Sequence, residues 1–472
     1  MRWWGRLLAC SIRGSFERAT LRVVSLAVAA ATVAIVLVVA VSVVPAVLFA
    51  LQKKGLDQRW AASVGTPAEV FERVIPHGAS SSALRLDRAA ASFGIDLTPG
   101  DNLDRVPRTA PPLTKNPELG SWCDAVTAGS GDAEIPVPES VRAILEDRKD
   151  ALTEIIACLT DDEPIVWDLE SAMGGGGRVP SPSQLLKLHR WLAAAAAHSR
   201  HQGDDHLASA CLEASWWLNQ ESLRRPERDM RLAGYSALEL ELAMVRAAPS
   251  SLTSETWLAR LDELDPVGKL GGWVLIEAYS LPASTARGTL RDGGGPWPLV
   301  LSLAVDPARR WLLTSASESL RVGTESQAGA GFTTVDPDLR YVESHHRISR
   351  WNRVARAALP NPWCEWQNAA RARLAAELTA EVLWFESATG EIDELVAQLP
   401  VRRPSGVADA FWAWTAEPDG LRVRLDHEAE LSPASRRLLD PPLEHIFDST
   451  LFPPEPTDAV GAAPDAVPTE EG

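Results

Sequence analysis

The spacing of apolar and polar positions changes character three times along the chain. From Val23 to Leu51 no residue is charged, and the only polar side chains are Ser25, Thr32 and Ser42. At about 1.5 Å per residue a helix over this stretch reaches ~43 Å, more than the ~30 Å of a bilayer's hydrocarbon core. Its three hydroxyls can return to the helix's own carbonyls in lipid. The pattern therefore predicts a transmembrane helix over 23–51.

A helical period of three and four follows from about residue 137. Val141, Ile144, Leu145, Leu152, Ile155 and Leu159 share one face of a predicted helix, with Pro138 at its first turn and Glu139 at the positive end of its dipole. Between 183 and 247 three helices are expected. The first carries Leu185, Leu188, Leu192 and Ala196. Gly203 stops it and Asp204 caps the second, which buries Ala208, Cys211, Leu212 and Ser215. Arg224-Arg225-Pro226 breaks that one, and Met230, Ala237, Leu240 and Met244 mark the third. Short loops make such helices pack antiparallel. Further helices are predicted near 298–320, 341–358, 362–386 and 390–399. In the third of these Ala370, Leu374, Leu378, Val382 and Phe385 face one way.

The period then falls to two. Phe411 to Thr415, a turn at Glu417-Pro418-Asp419-Gly420, and Leu421, Val423 and Leu425 alternating with Arg422 and Arg424 predict a β-hairpin. A lone hairpin has to lie on the helices or pair with another chain. The predicted organisation is a leader (1–22), the membrane helix (23–51), an irregular stalk rich in Pro, Gly and Ser with short helical pieces near 66–75 and 82–93 (52–136), and a helical domain (137–400). A β-hairpin appendix (401–437) and an acidic, largely disordered tail (438–472) complete it. The fold class is mainly α.

Charge sets orientation and excludes one class of partner. Arg2, Arg6, Arg13, Arg18 and Arg22 face a single Glu17 in the leader, and the stronger cationic flank stays in the cytoplasm. The rest of the chain is then exported, which in a bacterium means the periplasm or the cell exterior. The whole chain carries a net charge of −17 despite that basic leader. Phosphate backbones repel such a surface, so no nucleic-acid partner is expected. Cys123, Cys158, Cys211 and Cys364 lie beyond the membrane helix; in an oxidising space they permit two disulfides in any of three pairings.

The run Gln202-Gly203-Asp204-Asp205-His206-Leu207-Ala208, followed by Leu212 and Ser215, resembles the inner turn of a tetratricopeptide repeat, with Ala196, Ala208 and Ser215 where that family needs close helix contact. One unit, about residues 187–220, carries the resemblance. It implies stacked helical hairpins and a peptide-binding groove.

Candidate chemistry is sparse. His198, His201, Asp204 and His206 bring nitrogen and oxygen ligands close in sequence and are the candidate metal ligands, although they cross a helix bend where solvated polar residues are expected. Gly174 to Gly177 lacks the Lys-Ser/Thr of a phosphate loop, no GxSxG elbow occurs, and no cofactor motif is found. The 18 tryptophans outnumber the three tyrosines. Trp216, Trp217, Trp363, Trp366, Trp412 and Trp414 are candidates for a glycan platform, against core filling by large indoles. Three functions are thus open: a membrane-anchored interaction protein with other envelope proteins as partners, an exported hydrolase with or without metal, and a cell-wall glycan binder. The first is expected, because helical hairpins are predicted and no catalytic constellation is.

Overall fold

The computed structural model describes residues 23–37 with scattered positions as far as 58, and most of 80–98, 110–129, 135–167, 180–247 and 254–266. It then describes 362–387 and the strand residues between 402 and 448. Calls on the leader, on helices near 66–75, 298–320, 341–358 and 390–399, and on the chain end beyond 448 lie outside these residues.

Residues 23–37 are helical, as is every described position from 40 to 58. Thr32 Oγ1 donates to the carbonyl of Val28 at 2.8 Å, as its place in an apolar helix predicts. The valines, leucines and isoleucines of this run are exposed, Leu26 by 70%. Among the described residues no helix is long and apolar enough to cross a membrane. The uninterrupted described run, 23–37, spans only ~22 Å.

The folded body is a helical bundle carrying one small sheet. Its helices are α1 (Ser81–Phe93), α2 (Pro117–Ala128), α3 (Glu139–Asp147), α4 (Lys149–Thr160), α5 (Pro182–His201), α6 (Asp205–Arg224), α7 (Arg228–Arg246), α8 (Ser254–Asp262) and α9 (Pro362–Ser387). Helices α5, α6 and α7 pack on one another, α4 covers α6, α1 packs on α4, and α9 lies against α7 and α8. The alanines 193–197 of α5 are all buried, because small side chains let neighbouring helices come close. Helix α9 buries Ala369, Ala372, Leu374, Ala376, Leu378 and Leu383, residues spread around its axis, as a helix covered on several sides must.

Two expectations are corrected here. The helical piece predicted near 82–93 is α1, but its surroundings are not a stalk: α1 and the unpredicted α2 belong to the core, with Leu86, Phe93, Ile95, Leu97 and Trp122 buried. Phe93 meets Trp191 of α5 edge-on at 5.6 Å. Ser80 caps α1 by accepting from Ala83 N–H, and Asn116 caps α2 by accepting from Leu119 N–H. The single helix predicted from Pro138 is two helices, α3 and α4, broken at Arg148, whose φ of −116° and ψ of 23° leave the helical region. Arg148 uses the break to reach back, its Nη1 donating to the carbonyls of Phe93 and Pro111 at 2.5 and 3.2 Å. Between them sits Gly94 with φ +92°; a Cβ there would fall 2.7 Å from the Pro111 oxygen, so only glycine fits the end of α1.

The predicted hairpin is the centre of a four-stranded antiparallel sheet, ordered β1 (Arg402–Pro404), β2 (Ala410–Glu417), β3 (Gly420–His427) and β4 (Glu444–Asp448). Trp414 pairs with Val423, and Val423 with His445. One face carries Trp412, Trp414, Val423 and Phe447 inward, where Phe385 of α9 meets Trp414 and Phe447 at 5.4 and 4.7 Å. Strand β4 therefore puts an ordered element into the segment from 438 onward, read from its composition as a largely disordered tail. Its Leu443, His445 and Phe447 alternate inward from a segment whose acidic composition hides them.

Candidate functional site

The structure does not gather the four predicted metal ligands. Asp204 spends an oxygen on capping α6, accepting from Leu207 N–H at 3.0 Å. His206 begins α6 on the exposed side, and among the described residues no group of three or more His, Cys, Asp or Glu side chains is placed to hold a metal.

Two of them instead share a cavity with an arginine. A pocket of about 130 Å³ lies between the C-terminal end of α5 and α3 with the extended segment before it. Ile135, Pro136, Val137, Arg142, Ala197, His198 and His201 line it. The α3 register that buries Val141 and Leu145 puts Arg142 beside them, and the alanine run of α5 delivers Ala197 and His198. Arg142 gives its Nη2 to Glu139, one turn earlier, while its Nε is buried without a partner.

His198 is 9% exposed, and its ring protonation follows from its neighbours. The amide nitrogen of Gln202 sits 3.1 Å from Nε2, and an amide nitrogen only donates. Nε2 therefore accepts and the proton resides on Nδ1, which is buried and unpartnered. Burial lowers the pKa of His198 below the ordinary 6.5, an effect opposed by Glu146, whose Oε1 lies 3.7 Å from Nε2. Arg142 and His201 lower it further and Glu139 raises it. The neutral ring is thus a donor at neutral pH. Arg142 had no signal in the sequence, since nothing near it in the chain marks an arginine whose histidine partners arrive from another helix.

The other polar clusters are structural. Arg260 places its guanidinium over Trp216 and Trp257, at 5.6 and 5.2 Å, and grips both oxygens of Glu213 at 2.5 and 2.7 Å. His189 shares a buried hydrogen bond of 3.2 Å with Ser215. Asp161 and Glu163 hold Arg85 and Ser81 at the surface. Trp216, Trp412 and Trp414 are buried, so they are no glycan platform; Trp217 is exposed, and the side chains of Trp363 and Trp366, like Gly174 to Gly177, lie outside the described residues.

Cys123, Cys158 and Cys211 are free, buried thiols. Burial pushes Cys123 and Cys211 up to about 12 and raises Cys158 as well. Thiolates are the reactive form, so Cys123 and Cys211 are expected to survive iodoacetamide at pH 8 in the folded protein and to be alkylated in urea, read by peptide mass mapping. Alkylation of either at equal rates in both conditions is the contrary result. Compared with protein-family models, with curated proteins and with solved structures, the chain matches none.

Proposed function

We propose that this chain is a membrane-anchored recognition protein, held by residues 23–51 and presenting its helical body outside the cytoplasm to other envelope proteins. The observation that carries the reading is the N-terminal helix, whose Val23, Leu26, Val33, Ile35 and Leu37 are each more than 60% exposed. Water does not tolerate so continuous an apolar surface, and lipid does. The arginines of the leader place the N-terminus inside by the positive-inside rule. The antiparallel pair of α5 and α6, with its tetratricopeptide-like turn, supports recognition by helical hairpins, and the pocket at its edge supplies unpaired donors. Tethering raises the effective concentration of partners in the same membrane, which favours binding over turnover of diffusing substrates.

Membranes washed with alkaline carbonate should retain the protein, and protease added to spheroplasts should digest the body while sparing the leader. Release by carbonate overturns the anchor. Crosslinking in intact cells should enrich envelope proteins with the body, and recovery of the chain alone under mild detergent overturns the recognition role.

A further inference from the structure

The pocket between α3 and α5 has a composition that narrows what can occupy it. Two of the residues that line it each hold a buried donor without an acceptor, Arg142 Nε and His198 Nδ1, and an unpaired polar group away from water is costly even where, as in Arg142, the rest of the side chain is 39% exposed. Its remaining walls are the apolar Ile135, Pro136, Val137 and Ala197, with His201 at its side. A cation is unsuited: Nδ1 of His198 carries the proton, Nε2 is used by Gln202, and an arginine stands beside them. A dianion is disfavoured in turn by Glu139 on Arg142 and by Glu146 near His198.

We propose that this pocket is a binding site for a monocarboxylate on a short aliphatic stem, its two oxygens accepting from Arg142 Nε and His198 Nδ1 and its stem lying on Ile135, Val137 and Ala197. The carboxylate comes either from a small free acid or from an acidic side chain of a partner polypeptide; the recognition chemistry is the same. A charged acceptor matches a guanidinium donor better than water does, and a hydrogen bond to a charged group is roughly twice as strong as one between neutral groups. This site deepens the recognition reading and rests on it only for its biological role, since the pocket is formed by the body and not by the anchor.

The test uses the full chain in detergent micelles with nitrogen-15 histidine, observed by long-range proton–nitrogen correlation at pH 7. Butyrate should move the His198 ring nitrogens in a saturable way, and so should N-acetylglutamate amide, the stand-in for a partner's side chain; the tighter of the two identifies the source. Butyramide and inorganic phosphate should bind about tenfold or more weakly, the loss expected for one charge-assisted hydrogen bond. Arg142→Lys keeps the charge that faces Glu139 and removes the Nε donor, and should weaken carboxylate binding to the same extent with the helical circular dichroism unchanged. His206→Gln, outside the pocket, should leave it intact. The proposal is overturned if neither carboxylate shifts His198 saturably, if butyramide or phosphate binds as well as butyrate, or if Arg142→Lys binds like the parent. Each readout is local to the pocket, so it fails independently of carbonate extraction and of crosslinking.

Discussion

Replacing Glu365 by leucine is expected to destabilise the bundle by about 3 to 5 kcal/mol, the cost of leaving one buried charge without its partner. Glu365 on α9 accepts from Nε and Nη2 of Arg231 on α7 at 3.1 and 2.5 Å, and neither side chain is exposed at all. The two residues are 134 positions apart, so the pair fastens α9 to α7. Arg228 approaches the same carboxylate at 3.5 Å from a half-buried position and can turn to solvent when it is lost, whereas Arg231 cannot. Urea unfolding followed by tryptophan fluorescence should show the midpoint of Glu365→Leu far below the parent's. The double variant Arg231→Met with Glu365→Leu removes both charges and should recover most of the loss, because an apolar pair of similar volume avoids desolvation altogether. A single variant within 1 kcal/mol of the parent would show that the pair is wet.

The second large effect is a dependence on pH. Glu241 of α7 is wholly enclosed, and burial pushes its carboxyl up to about 8, against the amide of Asn219 at 3.2 Å and the charge of Arg260, with Glu213 adding to the rise. In the unfolded chain a glutamate titrates near 4.3. Between those values the folded state holds a proton that the unfolded state has released, so the contribution of Glu241 to stability is greatest below about pH 4.3, falls as pH rises towards 8, and changes no further above it. The loss amounts to a few kcal/mol across the window. Glu241→Gln keeps an amide against Asn219 and has no proton to lose, so it should be the more stable protein at pH 8 to 9 and show a shallower decline from pH 5. His189, lowered by burial to about 3, works in the opposite sense: its contribution is present above about pH 6.5 and is lost on acidification. Comparing parent and Glu241→Gln at each pH cancels that term. Parallel pH profiles for the two proteins would mean that Glu241 is ionised in the fold.

Much of the helical body is legible from local rules, and particular residues show why. Gly203 ends α5 with φ +76°, Asp204 caps α6, and the stripe Ala370, Leu374, Leu378, Val382, Phe385 is buried throughout. Each depends on neighbours within a turn or two. The stalk reading found the helix near 82–93 but missed α2 and the place of both in the core, because the Pro and Gly around them speak for loops, while Phe93 and Trp122 are claimed by packing and by an indole bond to the Ile135 carbonyl. The end of the sheet was missed because five residues of β4 are outvoted by the acidic segment that holds them.

The site divides along the same line. Periodicity and capping chemistry in the sequence alone determined where α5 and α6 run and that Gly203 stops the first of them, since backbone hydrogen bonds and side-chain spacing act over three or four residues. Which residues His198 meets was decided only by the tertiary structure: Arg142 and Glu146 come from α3, and the cavity lies where that helix packs beside α5. The Arg231 to Glu365 pair and the enclosure of Glu241 are of the same kind. A charge in the sequence is indistinguishable from a solvated one until packing removes the water around it, and packing is a property of the whole chain.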